Sequence, residues 1–263
     1  MSVEPVVRVR DLHKIWATPD GKNIALAGVS FDVHAGQITA LVGPSGAGKT
    51  TVLRIVAGLL QPTQGTAEVA GRRVNGPPEG VAMVFQDYSR SLLPWLTVLG
   101  NLMLPMRANG VPKAEAQDRA RHALASVGLS GRERIHPRQL SGGMQQRVAI
   151  ARALAFQPTL LLMDEPFASV DAQTRMDLED LVLPLRDEYA VTILFVTHDI
   201  DEAVYLSDRV ISLTPPPSVV GDIVPIDLPL PRDQVTTKQD PRFAHHREHV
   251  LSLVRTSTPG VPA

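Results

Sequence analysis

Apolar residues recur along the chain with two different periods. The runs 38–42, 81–85, 160–163, 193–196 and 210–213 are apolar at nearly every position, as expected of strands covered on both faces. Longer stretches with helical spacing separate them, and that alternation predicts an α/β fold in which helices cover a parallel sheet. Residues 6–10, 29–33 and 67–69 instead alternate apolar with polar side chains, which predicts a smaller antiparallel β layer covered on one face. Between Asp87 and Pro158 the strand signals fade. Helices are predicted there over 97–109, 112–127 and 141–156, forming an inserted α-helical subdomain at 87–157 within a core made of 1–86 and 158–213. The C-terminal extension, 214–263, begins with Pro215, Pro216, Pro217, Pro225, Pro229 and Pro231, so its first part should be extended or looping. A last helix is predicted from Pro241. Pro184 falls inside a helical pattern over 171–189 and is expected to kink or split it.

Composition narrows the function. The 263 residues are 44% hydrophobic and 20% charged, ordinary values for a globular protein with a sizeable core. A formal net charge of −1 supplies no basic surplus, so nucleic acid is not expected as a partner. The absence of cysteine excludes disulfide and thiolate chemistry. No apolar run approaches the roughly 20 residues a spanning helix needs, and Glu4, Arg8 and Arg10 interrupt the N-terminus where a secretory signal would be apolar. The expectation is a chain that stays in the cytosol, with any membrane role peripheral.

Two motifs carry chemistry. Gly43-Pro44-Ser45-Gly46-Ala47-Gly48-Lys49-Thr50, with Thr51 next, follows an apolar strand and opens a helix. Glycines at this spacing let successive N–H groups turn inward around a phosphate, at the positive end of the following helix. Lys49 can then reach the β and γ phosphates, and the Thr50 hydroxyl can ligate Mg²⁺. The fold expected is therefore a P-loop NTPase (RecA-like) core. The second motif, Leu160-Leu161-Leu162-Met163-Asp164-Glu165, delivers two carboxylates at the C-terminal edge of a strand, where open α/β sheets place their ligands. Asp164 is suited to holding Mg²⁺ and Glu165 to taking the proton of the water that attacks the γ phosphorus.

A third string, Leu140-Ser141-Gly142-Gly143-Met144-Gln145-Gln146-Arg147, is another anion site: a cap hydroxyl, two glycines and a helix N-terminus. A second phosphate site in the inserted region suggests that two chains meet head to tail, each cradle facing the other chain's Ser141, Gly142 and Gly143. Over nearly its whole length the chain resembles the ABC transporter ATPases. That resemblance implies ATP and Mg²⁺ as cofactors and assigns further residues. Trp16 resembles the aromatic that stacks on adenine, against the alternative of a core tryptophan. Gln86 resembles the glutamine that senses Mg²⁺ and the γ phosphate, and His198 the histidine that contacts that phosphate. Asp171, in Ser169-Val170-Asp171, resembles the aspartate that works across the dimer, against the alternative of a plain helix cap.

The strings Leu92-Leu93-Pro94-Trp95-Leu96-Thr97-Val98 and Asp171-Ala172-Gln173-Thr174-Arg175 resemble the branch that imports nitrate, sulfonates and taurine. The resemblance implies a homodimer that sandwiches nucleotide, on the cytoplasmic side of the cell membrane, beneath transmembrane permease subunits and indirectly served by a solute-binding protein. The segment 92–98 could dock a helix of a membrane subunit through Trp95, or belong to the core of the helical insertion. His245, His246 and His249 could share a helix face as metal ligands or form a solvated tail. The rival readings are a soluble ABC-type ATPase not coupled to transport, which would want heptad arms, a second cassette or a basic face, and a small-molecule kinase, which leaves the serine–glycine string without a purpose.

Overall fold

The structure, a computed structural model, describes residues 4–19, 21–87 and 91–256. The chain forms two compact units, one built from residues up to Glu79 and from Thr192 onward, the other from Gly80–Val191. The first unit opens with β1 (Pro5–Thr18), β2 (Gly21–His34), β3 (Ile38–Val42), α1 (Lys49–Val56), β4 (Gln64–Val69) and β5 (Arg72–Arg73). The second contains β6 (Val81–Val84), α2 (Val98–Ala108), α3 (Lys113–Ser126), α4 (Gly142–Ala155), β7 (Leu160–Asp164) and α5 (Ala172–Glu188). The first then resumes with β8 (Thr192–Val196), α6 (Ile200–Leu206), β9 (Arg209–Leu213), β10 (Val220–Pro225), α7 (Thr236–Gln239) and α8 (Pro241–Thr256).

In the first unit the alternating N-terminal stretches form the expected antiparallel layer, in the order β2-β1-β4-β5. Val7, Val9, Val29, Phe31 and Val33 point inward and are buried. Both long strands extend well past the stretches whose alternation is visible. Asp11 sits at φ 48° and the register shifts between Val9 and Leu12, so a bulge resets which side chains face the core. The unit's other layer places β3 between parallel neighbours β8 and β9. Every residue of β3 and β8 is buried, as their continuous apolar runs require.

The proline-rich segment contains one strand more than expected. β10 pairs antiparallel with β9 at the edge of its sheet, and Pro225 ends it; an edge is where a strand tolerates a residue without an N–H. α8 packs on α6 and β9, burying Phe243 and Val250. His246 Nε2 lies 2.6 Å from Asp227 Oδ1 and His249 Nε2 lies 3.5 Å from Asp222 Oδ2. Carboxylates therefore occupy these two histidines, and among the described residues no group of three metal-ligating side chains occurs.

The second unit holds the helical insertion. α2, α3 and α4 pack on one another, and β6 pairs parallel with β7. Side chains cap the helices: Thr97 accepts from Gly100, Ser141 from Met144 and Asp171 from Thr174. α5 runs unbroken from Ala172 to Glu188 through Pro184. The expected split does not occur, because one proline removes a single backbone hydrogen bond while Leu178, Val182 and Leu185 keep burying the same face.

Candidate nucleotide site

In the first unit the phosphate loop grows out of β3. Gly43 takes φ 152°, and a Cβ there would come within 2.8 Å of the Leu213 carbonyl oxygen. Gly48, at φ 77°, is the cap residue of α1, whose first turn contains no acidic residue, so the positive end of that helix is not neutralised from within. Lys49 is 7% exposed, and its Nζ donates to the carbonyls of Gly43 and Pro44 at 2.8 and 3.1 Å. The ammonium is thus drawn across the loop rather than out into solvent. Ser45 and Gly46 are exposed, and Thr50 and Thr51 are half-buried at the start of α1.

The same unit places two more of the expected residues. β8 leads into Thr197, whose N–H donates to the Leu41 carbonyl at 3.3 Å, tying the turn to the strand that feeds the loop. The Thr197 hydroxyl donates to Glu202 at 3.2 Å and accepts from the Asp199 N–H at 3.0 Å; His198, between them, is exposed. Trp16 is 41% exposed, so it is no core tryptophan. Lys14 holds its ammonium 4.5 Å from the centre of that ring and is anchored by the Gln61 carbonyl at 2.9 Å. Nothing in the residue pattern had singled out Lys14.

In the second unit β7 ends on Asp164, which is 4% exposed. Glu165 follows at φ 44°, a conformation uncommon outside glycine and one that clusters at functional sites. Gln86 Nε2 donates to Glu165 Oε2 at 3.1 Å, so two side chains assigned separately from the sequence meet. Ser141 and Gly142 are exposed at the start of α4, whose first turn is free of acidic residues. Asp171 is the cap of α5, and the Thr174 N–H it accepts holds its carboxyl below the usual range. Trp95 is 71% exposed while Leu92 is buried. The buried Asn101 fixes the segment between them, accepting from the Leu93 N–H at 2.7 Å and donating to the Leu93 carbonyl at 3.1 Å.

A phosphate loop on a buried strand and an Asp-Glu pair at a strand end make the chemistry of triphosphate cleavage available. The family model described as ABC transporter matches residues 26–168. The chain belongs to the ABC transporter family. It is 45% identical to the aliphatic sulfonates import ATP-binding protein SsuB 2 of Rhizobium johnstonii, over 97% of this chain and 93% of that one. It is 40% identical to the nitrate transport protein NasD of Klebsiella oxytoca, over 98% and 99%, and 37% identical to the bicarbonate transport ATP-binding protein CmpD of Synechococcus elongatus, over 95% and 91%. Among solved structures, the dimeric structure of the ABC transporter cassette MJ0796 matches with a TM-score of 0.73 at 31% identity, covering 84% of this chain and 98% of that one. A dimeric post-hydrolysis state of the same cassette, bound to ADP and Pi, matches at a TM-score of 0.72 and 31% identity, with the same coverage. This ABC cassette has the P-loop NTPase fold, binds ATP and hydrolyses it. Among its described residues no helix is long and apolar enough to cross a membrane.

Proposed function

We propose that this ATPase powers import of a small solute of the nitrate, sulfonate or taurine kind, as a homodimer held on the cytoplasmic face of the membrane by permease subunits that a solute-binding protein serves. The near full-length likeness to nitrate and sulfonate transport proteins carries the solute class. Trp95, an exposed tryptophan on a loop braced by Asn101, suits an apolar anchor in a permease interface. A soluble ATPase uncoupled from transport has no use for it.

In this reading Trp16 stacks on the adenine, and the residues from Gly43 to Thr51 wrap the phosphates with Lys49 on the β and γ groups. Thr50 and Asp164 offer a hydroxyl and a carboxylate, hard oxygen donors of the kind Mg²⁺ selects, and Gln86 would add a neutral amide oxygen. The bound ion would neutralise charge on the β and γ phosphates. Glu165 accepts the proton of the attacking water, and its hydrogen bond from Gln86 orients the carboxylate. His198 touches the γ phosphate. Ser141, Gly142 and Gly143 serve the nucleotide of the facing chain, and Asp171 acts across the same interface. The test is to purify the tagged chain from membranes and to measure ATP-dependent uptake in vesicles rebuilt with whatever multispanning protein accompanies it. Co-purification and stimulated uptake of nitrate or a sulfonate are expected; a chain recovered alone, with ATPase activity indifferent to any permease, would overturn the transport reading.

A further inference from the structure

Gln146 lies in α4, two residues past Met144, and its side chain is fully buried. Its Nε2 donates to the carbonyl of Pro166 at 2.5 Å, and Pro166 is the residue immediately after Glu165. The amide orientation is settled by this contact, because the reverse would set oxygen against oxygen. Among the described residues the amide oxygen, Oε1, makes no hydrogen bond. Burying a half-used amide is unfavourable where a methionine or leucine would pack without an unpaired atom, so apolar packing does not account for this side chain. What it does accomplish is to hold the turn that carries Glu165, a residue already forced to φ 44°.

A second contact joins the same two segments. Gly143 packs directly on the methyl group of Thr174, so that any Cβ at Gly143 would collide with it, and the Thr174 hydroxyl donates to Asp171 at 2.7 Å. The helix that begins at Ser141 is thus fastened at one point beside Glu165 and at another beside Asp171. All of these groups belong to the same compact unit.

We infer that Gln146 is a positioning residue that sets the Glu165 turn from the serine–glycine helix and so couples the two nucleotide sites of a dimer. The inference rests on the proposed roles of Glu165 and Ser141. In a facing dimer Ser141 answers to the nucleotide held by the partner, whereas Glu165 acts on the nucleotide of its own chain. A nucleotide that draws on the start of α4 therefore acts on the turn at Pro166, and occupancy of one site biases the carboxylate of the other.

The experiment compares Gln146→Met, which keeps the shape and removes the donor, with the unmodified chain, alone and in a Glu165→Gln background, in the transport complex. Turnover by Gln146→Met should fall by about 10- to 100-fold, as a misplaced catalytic group does, with KM for ATP within about twofold. The Hill coefficient for ATP should move toward about 1, since the sites no longer communicate, and the melting temperature should stay close to that of the unmodified chain. In the Glu165→Gln background the added substitution should change residual turnover by less than about twofold, because non-additivity marks action through one group. Normal turnover and an unchanged Hill coefficient in Gln146→Met, with Glu165→Gln inactive, would overturn the inference and leave the role of Glu165 standing. Normal turnover in Glu165→Gln itself would overturn that role instead. If Gln146→Met loses turnover through unfolding, Gln146→Leu decides at a temperature where it is folded: turnover and the Hill coefficient should fall as stated, and normal values of both would overturn the inference.

Discussion

Replacing Gly43 and Gly46 separately by alanine should split the stability of the phosphate loop from its affinity for ATP. At Gly43 the backbone is at φ 152°, and the new methyl group would stand 2.8 Å from the Leu213 carbonyl oxygen and 3.2 Å from the Leu213 Cβ. A left-handed conformation costs an ordinary residue about 1 to 2 kcal/mol, and pressing a methyl group into packed backbone costs about 1 to 3 kcal/mol more. Gly43→Ala should therefore destabilise the chain by about 2 to 5 kcal/mol, which for this size lowers the melting temperature by about 4 to 20 °C. Gly46 has φ 81° but nothing within 4 Å of the added carbon, so only the strain of about 1 to 2 kcal/mol applies, a fall of about 2 to 8 °C. The order reverses for ligand. Gly46 is exposed on the loop, where a methyl group keeps phosphate away from the backbone N–H groups, so Gly46→Ala should bind ATP poorly at temperatures where it is folded. Melting followed by circular dichroism and ATP titration by calorimetry give both quantities. A Gly43→Ala chain that melts at or above Gly46→Ala would refute the steric argument.

Trp95→Ala should leave ATP binding intact and weaken assembly with the permease by at least about tenfold, in the range of an interface anchor; a pull-down showing unchanged assembly would return the 92–98 segment to a packing role. Ser141→Arg should abolish turnover while the isolated chain still binds ATP, because the residue is proposed to serve the partner. Mixing Ser141→Arg with Lys49→Ala chains builds one intact composite site in the mixed dimer, so some turnover should reappear. If each variant is inactive alone and the mixture stays inactive although mixed dimers form, Ser141 does not act in trans.

How much of this was legible in the sequence depends on how local each cause is. The buried strands β3, β7 and β8 and the helices α2 to α4 fall within a residue or two of their expected bounds, because continuous apolar runs and the cap residues Thr97 and Ser141 act over a few positions. The far ends of β1 and β2 were not legible. Register shifts along β1, the one at Asp11 among them, move the phase of alternation, and a period-two pattern cannot be followed across an extra residue. β10 was hidden by its neighbouring prolines, which forbid a central strand but not an edge one. The motifs named Lys49, Asp164, Glu165 and Ser141, and the family resemblance named Gln86, each beside its own strand or helix end. What they could not give is the contact from Gln86 to Glu165 or from Gln146 to Pro166, since both join residues that only the folded chain brings together.

In the proposed cycle two of these chains close on ATP, each offering Lys49 on one side and Ser141 on the other, and Glu165 then completes hydrolysis. Glu165→Gln keeps the size of the side chain and its hydrogen bonding with Gln86 but removes the proton acceptor, so turnover should fall by about 10² to 10⁴. ATP affinity should survive, because Gly43 to Thr51 and Asp164 are untouched. The uncleaved nucleotide should then hold the pair together. Gel filtration with light scattering on Glu165→Gln measures this directly: a monomer without nucleotide or with ADP and a dimer with ATP and Mg²⁺ are expected, and a chain that stays monomeric at saturating ATP, alone and with its permease subunits, would rule out closure of two chains on ATP.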